Sequence, residues 1–143
     1  MSEMVKVVVD AMGGDNAPEE PVKAAVEAVK EKENIQVILT GVQDVIEAEL
    51  RKYPDYPKDR IRVVHASQVI ETAEPSVMAI QKKKDSSIVV GLNLVKKQEA
   101  DAFVSSGSTG AVLVGGQVIV GRIKGIRSCL LYTSDAADEA RSV

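Results

Sequence analysis

The sequence predicts an α/β fold, a three-layer and mostly parallel sheet covered by helices on both faces. Four short runs rich in β-branched residues, Val5 to Asp10, Ile35 to Thr40, Ile61 to His65 and Ala102 to Ser105, alternate with segments of helical periodicity. Aromatic residues make up only 3% of the chain, so the core is built from Val, Ile, Leu and Ala, as in buried parallel strands. Two glycine-rich segments also stand where a strand gives way to a helix, which is the ligand-binding edge of an open α/β sheet.

The elements follow in order. After the first strand, a helix is expected over Pro18 to Lys32, with Val22, Ala25, Val26 and Val29 at helical spacing. Pro18 is tolerated in its first turn, and Asp15 or Asn16 is available as the cap. A second helix, Val42 to Lys52, is ended by Tyr53-Pro54-Asp55-Tyr56-Pro57. A third covers Ser76 to Lys83, and a fourth covers Ser87 to Gln98 with Ile88, Leu92 and Val95 on one face. The last, Gly110 to Ile123, is apolar nearly all round and is expected to be buried.

Composition excludes several classes. At 143 residues, 45% hydrophobic and a formal charge of -3, the chain has the size and balance of one globular domain, and nothing marks it as a nucleic-acid binder. No apolar run approaches the roughly 18 residues of a membrane span. Met1-Ser2-Glu3-Met4-Val5 lacks the basic and apolar regions of a signal peptide, so a cytoplasmic location is expected. A single Cys permits no internal disulfide.

The first site-like segment is Asp10-Ala11-Met12-Gly13-Gly14-Asp15, leading into Asn16. Its paired glycines let the backbone come close to a bound group, and carboxylates flank them on both sides. Asp10 is otherwise a residue that ties the turn through its side chain. The second segment is Ser105-Ser106-Gly107-Ser108-Thr109-Gly110-Ala111. Its hydroxyls, glycines and the free N–H groups of a helix start make a neutral cradle for an anion such as phosphate, although the same residues equally suit a plain βα turn. It lacks the Gly-Lys-Ser/Thr ending of a Walker loop. Lys82, Lys83 and Lys84 either meet an anion or simply complement a helix end, Lys84 with Ser86 and Ser87 being the best functional candidates among them. His65 reads as structural, since no second His or Cys accompanies it as a metal ligand; no metal site and no cofactor are expected.

Five segments together, in order, resemble the phosphate acyltransferase family of bacterial phospholipid synthesis, the PlsX family. They are Asp10 to Asp15; Val69-Ile70-Glu71 with Glu74-Pro75; Lys82 to Ser87; Ser106 to Ala111; and Gly121-Arg122-Ile123-Lys124-Gly125-Ile126. Ser108 departs from the pattern, many members having Asn there. The resemblance implies transfer of a fatty acyl group from acyl carrier protein to inorganic phosphate, with a phosphotransacetylase-type enzyme using acyl-CoA, or a non-catalytic phosphate-binding module, as alternatives. It also implies an isocitrate-dehydrogenase or phosphotransacetylase-like architecture, a homodimer when full length, and peripheral association with the inner face of the membrane. Such a reaction needs positioning and electrostatics rather than a covalent nucleophile, because a thiolate already leaves well. On this reading Gly107, Ser108, Thr109 and Gly110 cradle the phosphate. Gly13, Gly14 and Asn16 form the facing wall, with Asp10 and Asp15 as catalytic carboxylates, and Lys84, Ser86 and Ser87 add further contacts.

The resemblance stops near residue 127. Cys129 to Glu139 is similar to translated read-through of a transposon-type sequencing adapter, so residues 1–128 are expected to be the N-terminal part of the acyltransferase domain and 129–143 a non-native tail. Without that tail, 18 acidic and 17 basic residues remain, and no Cys. The resulting fragment is expected to expose apolar surface around Ala111 to Ile123 and to be inactive.

Overall fold

A computed structural model describes residues 4–121. Four strands, β1 (Val5–Asp10), β2 (Ile35–Gly41), β3 (Ile61–His65) and β4 (Ala102–Val104), form one sheet in the order β3-β2-β1-β4. All three pairings are parallel. Helices α1 (Glu19–Glu31) and α2 (Gln43–Leu50) link β1 to β2 and β2 to β3. Helices α3 (Ser76–Lys82) and α4 (Ser87–Lys96) carry the chain from β3 back across to β4, and α5 (Thr109–Gly115) follows.

Alternation along the strands sorts side chains onto two faces. Val37 and Leu39 pack with Val22, Ala25 and Val29 of α1 and with Ile46 of α2. Val8 and Ile38 point the other way, toward Leu94 and Ala100. A further cluster, Ile70, Ala79, Ile80, Ile88, Val89, Leu92 and Ala111, joins α3, α4 and α5. The sheet is therefore covered on both faces, and the four apolar positions expected to anchor α1 are all buried.

Two expectations are corrected. Neither Asp15 nor Asn16 caps α1 with its side chain; Pro18 holds the cap position, and the Asn16 carbonyl accepts the Glu20 N–H at 3.0 Å instead. The pyrrolidine pushes the helix start past both polar residues and leaves them in the loop. The last helix is not buried all round. Its α-helical part ends at Gly115, Gly116–Val120 forms a π-turn, and only Ala111 and Gly115 are buried within these two stretches. Among the described residues α3 and α4 make its main contacts, and its outer side is open, with Val118 71% exposed. The rest of the predicted helix, and the predicted tail, lie outside the described residues.

Helix α4 buries a wider face than expected, taking in Val89 and Leu94 as well as Ile88 and Leu92. The arrangement also places a topological switch point between β1 and β4. The chain winds outward from β1 to β2 and β3 on one side, then crosses to β4 on the other, so the connections leaving β1 and β4 diverge. A crevice must open there, at the carboxyl ends of the two strands.

Candidate functional site

Both glycine-rich loops arrive at that crevice. Strand register pairs Val9 with Val104, so the next residues, Asp10 and Ser105, leave the sheet side by side. The Ser105 hydroxyl donates to Asp10 Oδ2 at 2.8 Å, and the Gly107 N–H donates to Ser105 Oγ at 3.0 Å. Asp10 Oδ1 accepts the Met12 N–H at 3.0 Å. One carboxylate thus holds its own loop with one oxygen and the second loop with the other.

The contact between the loops is close enough to dictate residue type. A Cβ on Gly13 would stand 2.6 Å from Asp10 Oδ2 and 2.8 Å from the Gly107 nitrogen, closer than side chains pack. Gly14, with φ +97°, turns the chain in the left-handed region that favours glycine. Asp15 and Asn16 follow on the exposed surface.

In the second loop Ser108 is buried and caps α5, its hydroxyl accepting the Ala111 N–H at 3.2 Å. Thr109 and Ser106 are exposed. Among the described residues the N–H groups of Thr109 and Gly110 have no hydrogen-bond partner, as expected of a first helical turn. An apolar trough of about 560 Å³ opens from both loops and runs beside α1 over Val7, Val9, Ala24, Ala28, Val37 and Val104.

The structure brings Asp10, Gly13, Gly14, Asp15 and Asn16 together with the Ser105–Gly110 loop. Ser86 and Ser87 are not presented to solvent. Ser86 is the N-cap of α4, accepting the Val89 N–H, and the Ser87 carbonyl accepts the Thr40 hydroxyl at 3.0 Å. Lys84 is exposed between two engaged neighbours. Lys83 Nζ bonds the Val69 carbonyl at 2.8 Å and pairs with the Glu74 carboxylate, while Asp85 accepts from the backbone and hydroxyl of Ser67. The Lys83 ammonium, hydrogen-bonded to Glu74, holds that carboxyl below the usual carboxylate range; the Ser67 hydroxyl does the same for Asp85. These contacts shape the segment before α3, whose Ser76 packs against Gly110 at the start of α5. His65 Nδ1 accepts the Gln43 N–H at 3.1 Å, at the start of α2. No group of three or more His, Cys, Asp or Glu gathers as a metal site among the described residues.

Ser105 opens the second segment picked out from sequence, but the sequence assigns it no role of its own. Only the β1–β4 pairing reveals its partner, and strand order is not written in the local pattern.

A family model described as fatty acid synthesis protein matches residues 5–134. The chain belongs to that family. It is 57% identical over 122 residues to the phosphate acyltransferase of Alkaliphilus oremlandii, covering 85% of this chain and 36% of that protein. To the phosphate acyltransferase of Clostridioides difficile it is 50% identical over 127 residues, covering 88% and 37%. To that of Halothermothrix orenii it is 47% identical over 129 residues, covering 90% and 38%. The chain therefore spans little more than a third of the length of these family members. Both site loops fall inside the matched region, as do Glu74, Lys83 and Asp85. Among the described residues no helix is long and apolar enough to cross a membrane.

Proposed function

We propose that the full-length protein transfers a fatty acyl group from the thioester of acyl carrier protein to inorganic phosphate, and that this chain supplies the phosphate-binding half of the cleft. The observation that carries this reading is the meeting of two loops, Asp10–Asn16 and Ser105–Gly110, across the switch point of a parallel sheet. The family match over residues 5–134 includes both loops, and relatives at 50–57% identity are named phosphate acyltransferase.

A phosphate oxygen attacks the thioester carbonyl carbon, the C–S bond breaks, and the proton of hydrogenphosphate passes to the departing thiolate. The products are acyl phosphate and free carrier protein. The free N–H groups of Thr109 and Gly110, with the Thr109 hydroxyl, hold the phosphate. Asp15 and Asn16, exposed on the facing loop, are the polar side chains left to meet it. The apolar trough that opens from the same loops suits the alkyl chain of the acyl group. Lys84 remains a candidate for contact with phosphate or with the acidic carrier protein. A homodimer and peripheral membrane association belong to the full-length protein on this reading, and the isolated chain is inactive.

The test is acyl transfer by the full-length protein, trapped as acyl hydroxamate, with acyl carrier protein and acyl-CoA compared as donors. Dependence on phosphate with a preference for carrier protein supports the proposal, whereas a preference for acyl-CoA assigns the donor to coenzyme A. Phosphate binding without turnover from either donor leaves a binding module. Calorimetry on Thr109→Val tests the cradle separately, and unchanged phosphate affinity would remove it.

A further inference from the structure

Asp10 is 2% exposed, and both of its carboxylate oxygens are occupied by groups of the protein. A carboxylate only accepts hydrogen bonds, so the single Ser105 hydroxyl proton must point at Asp10. That orientation turns a lone pair of Oγ toward the Gly107 N–H. The direction of each bond is thereby fixed, from the Gly107 amide to Ser105 and from Ser105 to Asp10.

The same geometry removes the Gly107 amide from the set that a ligand can use, while setting the plane of the Ser106–Gly107 peptide just before Ser108. Ser108 then caps α5 and leaves the Thr109 and Gly110 amides free. On the opposite loop, Gly13 packs into the angle formed by Asp10, Ser105 and Gly107.

From this we infer that Ser105 is a positioning residue. Held by Asp10, it fixes the orientation of the phosphate-facing loop, and Asp10 acts through it rather than as an acid or base on the substrate. The inference rests on the proposed reaction for its kinetic test, but the relay itself makes no use of the acyl donor.

The experiment uses the full-length protein with Ser105→Ala, Ser105→Thr, Asp10→Ala and Asp10→Asn. Ser105→Ala and Asp10→Ala are expected to raise KM for phosphate about tenfold or more, since each breaks a hydrogen bond to a charged or otherwise unsatisfied buried group. KM for the acyl donor should stay within about twofold, because only the phosphate-facing loop moves. Ser105→Thr keeps the hydroxyl and should restore KM. Asp10→Asn should recover most of what Asp10→Ala loses: its oxygen still accepts from Met12, and its amide donates to Ser105 Oγ, which still accepts from Gly107.

A fall in kcat with both KM values unchanged would overturn the inference, as would Asp10→Asn proving as damaging to kcat as Asp10→Ala. Amide exchange across residues 105–110 gives a second readout that needs no turnover. Exchange at least about tenfold faster in Ser105→Ala, reversed in Ser105→Thr, supports the relay even if the proposed reaction is not observed. Unchanged exchange overturns it.

Discussion

Replacing Gly13 by Ala is the sharpest probe of how the two loops are joined. The new Cβ would meet Asp10 Oδ2 at 2.6 Å, the Gly107 nitrogen at 2.8 Å and Ser105 Oγ at 3.0 Å, with two different loops on its sides. To reach even 3.0 Å, the carboxylate must retreat by about 0.4 Å, and Asp10 is buried with both oxygens bonded. Overpacking of this kind costs about 1–3 kcal/mol. Loss of the Ser105 bond to a charged acceptor adds about 1.5–3 kcal/mol where the loops part rather than bend. The expected destabilisation is therefore about 1–3 kcal/mol where the loops bend and about 2.5–6 kcal/mol where they part, a large share of the roughly 5–15 kcal/mol that holds a domain together. The control is Gly116→Ala, where a Cβ meets nothing within 4 Å and the backbone is already helical. It should be neutral or stabilising by up to about 1 kcal/mol. Denaturant midpoints of both variants in the full-length protein, read with phosphate affinity, decide the matter. A Gly13→Ala midpoint equal to that of Gly116→Ala, with unchanged phosphate affinity, would refute the close joining of the loops.

Three other outcomes follow from the fold. Arg60 donates to the carbonyls of Val29, Lys32 and Ile35, tying the end of α1 to the start of β2; Arg60→Met should lower stability by about 1–3 kcal/mol by urea titration, and an unchanged midpoint would mean that water replaces it fully. Glu74 and Asp85 have carboxyls held below the usual range in the folded protein, so their stabilisation is present above the unfolded values and is lost as pH falls through the lowered ones. The segment between β3 and α4 should accordingly lose amide protection, taken relative to intrinsic exchange at each pH, as the pH falls, with Glu74→Gln and Asp85→Asn flattening that dependence; a slope unaffected by either variant would contradict it. Val77, Met78, Val104, Val118 and Val120 are exposed, so the isolated chain should bind an apolar-surface dye such as ANS, and a sharp thermal transition without dye binding would count against this.

The strands and most helices were legible because their signals are local. Val22, Ala25, Val26 and Val29 announce a buried helical stripe whatever lies opposite, and β3 matches its predicted span of Ile61 to His65. Misreadings came where the answer depends on a neighbour. Asp15 and Asn16 have the chemistry of caps, but Pro18 moves the helix start beyond them. The last helix looks buried by composition, yet burial needs a covering surface, and a sequence pattern does not carry one. The two loops stood out in the sequence as glycine- and hydroxyl-rich segments at strand ends, a composition that equally suits a plain βα turn. Their facing arrangement was read only through the family resemblance, and the Asp10–Ser105 bond was not legible at all: the two residues are 95 apart, and only the order β2-β1-β4 makes them adjacent. For the same reason the burial of Ser86 and Ser87 was not legible, since Ser87 sits against Thr40 of the inner strand β2.

The charges around the trough set a final test of what Asp15 does. The charged residues that line it are Asp10, Asp15 and Glu20, all acidic. Asp10 is buried and bonded to both loops, so Asp15 and Glu20 are the exposed carboxylates of the trough. A carboxylate that merely stands near phosphate repels it, and removing that charge should tighten binding a few fold at low salt and less at high salt. Glu20→Gln is expected to behave in this way in the full-length protein. Asp15 directly follows the Gly13-Gly14 turn, where a carboxylate can share the proton of hydrogenphosphate and so gain more than it loses to repulsion. Asp15→Asn should then lower kcat without tightening phosphate binding. Measured side by side by calorimetry and turnover, the two variants must differ for Asp15 to have a chemical role. If Asp15→Asn tightens phosphate binding as Glu20→Gln does and leaves kcat intact, Asp15 is only background charge, and the proton must be managed elsewhere.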